Sequence, residues 1–444
     1  MMRPKAKFLL PQNLYSYYTK QTQKTVKVFR MNAKIISSKT ALTKMQAIIL
    51  AVIVVVAAVV GVAIYYLTLP TPVEPIKIGV LTPLSAPADF TAGSLIRKTA
   101  EIFVEYQNDK GGVLGRPLEL VVADQTLDAG TAISNLVRMV TSDKIVGLIG
   151  PWESLVALPV AEATEDYPVI MFCTFSWADN ITANKYKYVF RLGVANRLVS
   201  KGTIEYVKYM GYTRAACICE ESSYGIGMWE NMVKWRDETY PELEMFQILT
   251  PPGKTDYSPE LMQIATMDPP PDVIIMNNNL PHVNIMNKQL YEMGIFPDIP
   301  MVSSTSHPLW DPDSFWEAVG EAGIGLIFQD FDSPFAEYTD VGKEFQEIWD
   351  EKVGGVPTVW LAWYWDCLRI LVKAIEDTGS TDPDVLKDYI EDIEMVGTTG
   401  DIYFINDPTP GSIFWHQWTG FNYYFFRLEA IGDTTEHQVY PPVT

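Results

Sequence analysis

The chain is short of the residues on which most catalytic and metal centres depend. Its 444 residues include only four cysteines and four histidines, and none of the histidines lies at metal-ligand spacing from a cysteine or a carboxylate. No CxxC pair, glycine-rich phosphate loop, GxSxG elbow or HExxH motif occurs. These absences argue against a structural metal, a bound cofactor and an enzyme of the familiar motif classes.

Positive charge is scarce as well, and it is unevenly placed. The chain carries 34 Lys and Arg against 54 Asp and Glu. Ten of the basic residues precede Ala47 without any acidic residue, which leaves 24 basic and 54 acidic residues, a net charge of −30, for the rest. Phosphates would be repelled by so acidic a body, and we therefore expect no nucleic-acid partner.

One long apolar run stands between these two parts. Ala47–Leu67 is an uncharged run of 21 residues, long enough as a helix to cross the roughly 30 Å core of a bilayer. The basic flank favours a cytoplasmic N-terminus. We predict a basic cytoplasmic segment at 1–44, a transmembrane anchor at 45–69 and a linker at 70–75, in a single-pass cell-membrane protein with its body extracellular or periplasmic. A signal peptide cleaved at an unrecognised site is the alternative.

From Ile76 onward, buried strands alternate with amphipathic helices. Such alternation predicts an α/β fold, with parallel sheets covered by helices on both faces. The part after Phe331 is richer in helix, and alternating aromatic residues after Gly400 predict short antiparallel strands.

Candidate site residues lie in the loops that follow the predicted strands, where open α/β sheets bind ligands. Ser154 opens a helix whose free amides can receive an oxygen-rich group, although an N-terminal cap is the simpler interpretation. Asn279 can bind a polar ligand group or close a turn. Aromatic side chains in these loops can line an apolar cleft, although core packing is the simpler interpretation for each one. The aromatic candidates are Phe90, Trp152, Phe175, Trp177, Tyr224 and Trp360. Ser176 and Thr305 lie in the same group of loops.

Five segments in order resemble the type I periplasmic binding proteins, specifically the leucine/isoleucine/valine-binding family of ABC-transporter receptors. They are IKIGVLTPLSAPADF from Ile76, YQNDKGGVLGRPLELVVADQTLD from Tyr106, VGLIGPWES from Val146, ESSYGIG from Glu221 and WDCLRILVKAIEDTGS from Trp365. The resemblance covers nearly all of 76–400.

The resemblance implies two Rossmann-like lobes joined by three crossovers, which close on a small ligand. The first lobe would comprise 76–194 and 331–398, and the second 195–330 and 399–444. Ser154 matches the serine that holds the ligand carboxylate in amino-acid binders. Tyr224 matches an aromatic residue lying over the ligand, and Trp360 matches one in the apolar pocket.

Other positions depart from the family pattern. Trp177 aligns with the family's threonine that accepts from the ligand ammonium. The family's acidic residue that neutralises this ammonium aligns near Thr305, and a second-lobe tyrosine of the family aligns near Asn279. A buried α-ammonium needs a carboxylate or several acceptors; Asp311 or Glu220 can provide one from elsewhere. We therefore expect an amino-acid-like, amide or aromatic carboxylate ligand rather than an ordinary α-amino acid.

The function predicted from these residues is that of a membrane-anchored solute receptor that passes its ligand to ABC permease subunits. A sensor that reports the ligand to a partner protein is the first alternative, and an extracellular enzyme is the second. The short basic segment before the apolar run has no room for a signalling output domain, which favours transport.

Overall fold

A computed structural model describes residues 44–68, 73–304, 308, 312–331 and 338–442. The chain divides into two compact units, with the division between residues 72 and 73. In the first unit, helix α1 covers Lys44–Thr68. Within the described residues, no helix combines the length and the apolarity that a membrane crossing demands. Residues 1–43 and 69–72 of the predicted N-terminal segments lie outside the described residues.

The body begins with strands and helices in strict alternation. Its first elements are β1 (Ile76–Thr82), α2 (Phe90–Asp109), β2 (Leu118–Asp124), α3 (Ala129–Arg138), β3 (Ile145–Ile149), α4 (Ser154–Ala163), β4 (Ile170–Cys173), α5 (Asn180–Ala183) and β5 (Val189–Arg191). Most residues of these strands are buried, because helices cover both faces of the sheet, and their sequences are accordingly almost continuous apolar runs.

A second series repeats the pattern. It consists of α6 (Asn196–Met210), β6 (Arg214–Glu220), α7 (Ser223–Thr239), β7 (Glu244–Thr250), α8 (Ser258–Ala265), β8 (Val273–Asn277), α9 (His282–Glu292), β9 (Met301–Ser303), α10 (Pro312–Val319) and β10 (Ile327–Asp330).

The last part contains three helices and six short strands. These are α11 (Asp340–Lys352), α12 (Val359–Thr378), α13 (Pro383–Glu391), β11 (Met395–Val396), β12 (Asp401–Ile402), β13 (Ile405–Asn406), β14 (Trp415–Gln417), β15 (Tyr424–Arg427) and β16 (Gln438–Tyr440). The longest of the three helices, α12, is also the most buried, with 15 buried residues at the centre of the first lobe.

The strands form two seven-stranded sheets, one in each lobe. The order is β13-β14-β5-β4-β3-β1-β2 in the first lobe and β16-β15-β10-β9-β8-β6-β7 in the second. The main strands are parallel. Among the described residues of these two sheets, antiparallel pairs occur at the C-terminal additions, β13 with β14, β15 with β10 and β15 with β16, and β11 and β12 form a separate antiparallel pair. The predicted two-lobed α/β architecture is confirmed.

The lobe boundary near the C-terminus differs from the prediction. Residues 399–444 were expected in the second lobe, but β13 and β14 pair in the first sheet, and only β15 and β16 join the second. The chain therefore crosses back between Gln417 and Tyr424. The tight coupling of β14 to β5 explains the difference, because Gln417 pairs with Arg191 at the edge of the first sheet.

Two of the crossings are tied together by a buried guanidinium. Arg191 Nε donates to Gln417 Oε1 at 2.6 Å, and Gln417 Nε2 donates to the carbonyl of Gly193 at 2.7 Å. A Cβ atom at Gly193 would lie 2.0 Å from the carbonyl oxygen of Thr174, so only glycine allows this close approach. The crossing after β5 and the crossing after β14 therefore leave the first sheet side by side, held by Arg191 and Gln417.

Candidate functional site

The loops at the carboxyl ends of both sheets meet between the two lobes and enclose a small cavity. Its lining residues come from both lobes: Trp152, Glu153, Ser154, Phe175, Trp177, Tyr224 and Asn279. The cavity volume is about 10 Å³, which is room for no more than one water molecule. Larger cavities lie elsewhere on the body, but this one lies where open α/β sheets bind ligands.

Aromatic rings fill most of the space between the lobes. Trp152 and Phe175 stack with their centroids 5.0 Å apart and their planes 9° from parallel. Trp177 meets Phe175 edge-on at 5.3 Å, and it meets Tyr224 of the second lobe edge-on at 5.4 Å. Such ring pairs add about 0.5–1.5 kcal/mol each to the burial of their apolar surface. The rings therefore hold the two lobes together across the cavity.

Further rings extend the cluster into the first lobe. Trp360 lies 5.2 Å from Trp152, and Phe331 lies 5.9 Å from Trp177. Both are almost completely buried. They support the rings that face the cavity, and neither belongs to its lining.

Ser154 is the first residue of α4 and contacts the loop after β4. Its Oγ accepts a hydrogen bond from the amide of Ala178 at 3.1 Å, and the side chain is 3% exposed. An accepting hydroxyl still has its own hydrogen to donate. Ser154 can therefore present a donor to the cavity at the positive end of the helix.

Tyr224 reaches the cavity from the first turn of α7. Its hydroxyl lies 2.9 Å from Ser304 Oγ, at the end of β9. A Cβ atom at Gly225 would lie 2.3 Å from the carbonyl oxygen of Glu220. This glycine lets the first turn of α7 pack directly against the end of β6, which places Tyr224 beside Glu220.

Glu153 is the one carboxylic acid among the described lining residues of the cavity, and it is 4% exposed. Its Oε1 accepts from the amide of Asp89 at 3.1 Å, and its Oε2 accepts from Gln125 Nε2. Burial raises the pKa of Glu153 to about 8, with repulsion from Asp89 and Glu220 acting in the same direction and the Asp89 amide opposing them.

Asp89 is a second buried carboxylate beside the first. It caps α2, its Oδ1 accepting from the amide of Ala92 at 3.1 Å. Burial raises the pKa of Asp89 to about 7, although hydrogen bonds from the amides of Ala92 and Thr91 and from the Trp152 side chain oppose the shift.

Glu220 contributes a third carboxylate from the second lobe. It is 4% exposed, and Asn279 donates to it twice, from its amide at 3.3 Å and from Nδ2 at 3.2 Å. Its basic neighbour His282 has a lowered pKa because of burial, which Glu220 only partly opposes. Glu220 therefore gains little positive charge from that imidazole.

No cation offsets these three carboxylates within the cavity. None of its described lining residues is Lys, Arg or His. The buried Arg191 donates to Ala178 O, Thr182 Oγ1 and Gln417 Oε1 and lies outside the lining. An unpaired buried charge costs several kcal/mol. Glu153 and Asp89 are buried at such a cost and have raised pKa values, and groups of this kind are characteristic of functional sites.

The structure brings together six of the ten residues singled out from the sequence. Trp152, Ser154, Phe175, Trp177, Tyr224 and Asn279 line the cavity. Trp360 lies behind the lining. Thr305 and Asp311 lie outside the described residues.

Phe90 and Ser176 were predicted in the same site, and both lie elsewhere. Phe90 is 53% exposed and lines a separate 240 Å³ cavity at the rim, opposite Leu280 and Phe315. Ser176 is fully buried, and its hydroxyl lies 2.6 Å from the carbonyl of Pro151 and 2.7 Å from that of Trp152. Because side chains alternate in direction along an extended loop, Ser176 points inward while its two aromatic neighbours face the cavity.

Sequence reasoning missed Glu153 and Asp89. In a chain with 54 acidic residues, a solvated carboxylate is the default interpretation. One signal was present: Glu153 stands between Trp152 and Ser154, both of which were singled out. Within the described residues, no group of three or more His, Cys, Asp and Glu has the arrangement of a metal site.

Comparison with known proteins gives one family and a consistent fold. The family model described as "Periplasmic binding protein" matches residues 75–430. The Leu/Ile/Val-binding protein BraC3 of Rhizobium johnstonii is 25% identical over 254 residues, 57% of this chain and 66% of that protein. The Leu/Ile/Val-binding protein homolog 7 of Brucella suis is 27% identical over 296 residues, 64% of this chain and 72% of that protein. The chain thus spans just under two thirds of the first of these relatives.

Solved structures share the fold at lower identity. A leucine-binding protein LivK from Thermotoga maritima superposes with a TM-score of 0.69 and 22% identity, covering 82% of this chain and 99% of that one. A solute-binding protein of an ABC transporter from R. palustris, in complex with benzoate, has a TM-score of 0.67 and 18% identity, covering 84% and 98%.

The raised pKa of Glu153 predicts a characteristic dependence of stability on pH. An acid that holds its proton more tightly when folded stabilises the protein below its unfolded pKa, and this stability is lost as the pH rises through about 8. Replacing Glu153 by Gln removes this loss. The free energy of unfolding of Glu153→Gln, relative to that of the unmodified chain, should therefore rise between pH 5 and pH 8.5 by up to about 1.4 kcal/mol per pH unit. The difference in melting temperature between the two proteins should rise with it.

The matched control is Glu119→Gln, which changes an exposed carboxylate on β2. Its melting temperature should differ from that of the unmodified chain by the same amount at every pH. A difference for Glu153→Gln that is equally independent of pH would show that Glu153 is ionised at neutral pH.

Proposed function

The chain belongs to the periplasmic binding protein family, and on that premise we propose that it is a solute receptor that captures a small, partly apolar molecule between its lobes. The observation that carries this proposal is the cavity itself, which is lined by aromatic rings and by Ser154 where the strand ends of both sheets converge. No chemistry on the ligand is proposed.

Capture would require the rings to separate and close again. A cavity of about 10 Å³ is far smaller than the several hundred Å³ of ordinary ligand pockets. The contact between Trp177 and Tyr224 joins the two lobes, and a ligand that replaces this contact would bridge them instead. Such a ligand favours whichever lobe arrangement it contacts best.

The ligand class predicted from the sequence was amino-acid-like, amide or aromatic carboxylate. Relatives bind compounds of these kinds: the solved LivJ protein from Streptococcus pneumoniae is in complex with isoleucine, and the R. palustris protein is in complex with benzoate. The aromatic walls of the cavity support the apolar part of this expectation. The carboxyl groups around the cavity limit the charge that the polar part of the ligand can carry.

ABC permease subunits are the proposed partners, since the family resemblance is to receptors of such importers. The alternative, a sensor that signals to a partner protein, uses the same ligand-binding cycle. Ligand uptake by cells that lack the chain, compared with complemented cells, separates the two, because only a transport receptor changes uptake.

We also propose that residues 45–69 anchor the protein in the cell membrane with the body outside. The support is in the sequence: an uncharged run of 21 residues preceded by ten basic residues and no acidic ones. The full chain should remain in the membrane fraction after a high-salt and alkaline wash, and its intact mass should include residues 45–69. A soluble protein that begins after Leu67 would indicate a cleaved signal peptide.

Ligand binding should stabilise the protein, and Ser154 should contribute to it. We expect at least one of leucine, leucinamide, phenylacetamide and benzoate to raise the melting temperature of the full chain in detergent, whereas glucose should not. A ligand at one hundred times its dissociation constant adds about 2.7 kcal/mol of stability. Ser154→Ala should reduce the shift produced by the best of these compounds, because it removes a donor worth about 1 kcal/mol.

Ser134→Ala provides the matched control, since Ser134 is an exposed serine on α3, and it should leave the shift unchanged. The proposal would be contradicted if none of the four expected ligands shifts the melting temperature.

A further inference from the structure

We propose that the cavity between the lobes selects a cationic amine whose apolar portion lies against the aromatic rings and whose second polar group is uncharged. Amino-acid amides and arylalkylamines belong to this class, whereas amino acids with a free carboxylate do not. The inference rests on the proposed receptor function and specifies the charge of its ligand.

The distribution of charge around the cavity is the first reason. Glu153 lines the cavity, and the carboxyl groups of Asp89 from the first lobe and Glu220 from the second both repel a negative charge on it. No described lining residue is basic. An ammonium group is the ligand feature that offsets buried carboxylates, and it forms strong charge-assisted hydrogen bonds with them.

The aromatic walls are the second reason. Two indole rings, a phenyl ring and a phenol ring line the same cavity, from Trp152, Trp177, Phe175 and Tyr224. The face of an aromatic ring attracts a cation, and indole does so most strongly. The same rings bury an alkyl or aryl group. One small molecule with an amine and an apolar portion satisfies both.

An unpartnered donor identifies the remaining polar group. Trp177 is 3% exposed, and its Nε1 has no hydrogen-bond partner among the described residues. Ser154 can add a hydroxyl donor from the start of α4. Because buried donors need acceptors, the ligand should carry an oxygen that faces them, such as the carbonyl of an amide or ester.

A carboxylate is the wrong acceptor at this position. Glu153 and Ser154 both line the cavity, so an anion that accepted from the Ser154 hydroxyl would lie close to the carboxyl group of Glu153. Once a bound ammonium group has brought Glu153 into its ionised form, like charges at such close range disfavour each other strongly in a low-dielectric site. A carboxamide offers the same acceptor oxygen without the charge.

Compounds matched in their apolar portion test this inference. For the leucine skeleton these are leucine, leucinamide, 3-methylbutylamine, 4-methylpentanoate and 4-methylpentanamide. The phenylalanine skeleton gives phenylalanine, phenylalaninamide, 2-phenylethylamine, 3-phenylpropanoate and 3-phenylpropanamide. Dissociation constants are measured by calorimetry on the full chain in detergent at pH 7.0, where the amino groups of the amides are mostly protonated. Leucinamide or phenylalaninamide should bind at least about tenfold more tightly than the parent amino acid and the carboxylate.

Substitutions then locate the effect. Glu153→Gln and, separately, Glu220→Gln should weaken binding of the tightest amine by about tenfold or more and leave the neutral amides unaffected. Glu119→Gln should change neither. Two variants from different lobes keep the test decisive if one of them fails to fold.

The outcomes separate the two proposals. If leucine, phenylalanine or either carboxylate binds as tightly as leucinamide or phenylalaninamide, the inference is overturned and the receptor function stands. The same holds if 4-methylpentanamide or 3-phenylpropanamide, which are neutral, binds as tightly as the cationic compounds. If no compound of either series binds but benzoate or phenylacetamide still raises the melting temperature, this inference alone is overturned; if none of all these compounds binds, both proposals fail.

Discussion

The buried carboxylate of Glu153 is the constraint on which the rest of the site depends. It stands at the start of α4, where the helix end favours negative charge, and it is held by the amide of Asp89 and the side chain of Gln125. Gln125 in turn accepts from the amide of Trp152 at 2.7 Å. The orientation of Glu153 is therefore coupled to the ring that begins the aromatic cluster.

Polar and aromatic parts of the site thus form one arrangement rather than two. Trp152 stacks on Phe175, Phe175 contacts Trp177, and Trp177 meets Tyr224 across the lobes. Ionisation of the buried carboxyl groups would destabilise the closed lobes, while the ring contacts stabilise them. A ligand that supplies a cation allows Glu153 to ionise and keeps apolar contact with the rings, and that is the differential affinity a closing receptor needs.

The fold and the family could be predicted from the sequence because they depend on periodicity and on ordered segments. The alternation from Ile76, and the resemblance of the segments ending in Ser154 and Gly227, led to the two-lobed architecture and to the Leu/Ile/Val-binding type I periplasmic binding proteins, and the comparisons confirm both. The crossing after Gln417 could not be predicted, since it depends on long-range pairing of Gln417 with Arg191.

The site could be predicted only in part. Loop position after a strand identified Trp152, Ser154 and Trp177, because strand ends converge in any doubly wound fold. Whether the other residues belong to the site depends on which side chains are buried, and burial depends on how the whole cleft packs. Ser176 turns inward and Phe90 outward, while Glu153 is enclosed although most acidic residues of this chain are solvated.

We propose that Glu153 holds a proton in the closed cleft and gives it up when a cation enters. Calorimetry of 3-methylbutylamine binding at pH 7.0, where this alkylamine is fully protonated, measures the protons exchanged on binding when it is repeated in two buffers of different ionisation enthalpy. Release of a substantial fraction of a proton is predicted for the unmodified chain, and none for Glu153→Gln. Binding of 3-methylbutylamine to the unmodified chain without proton release would contradict this proposal.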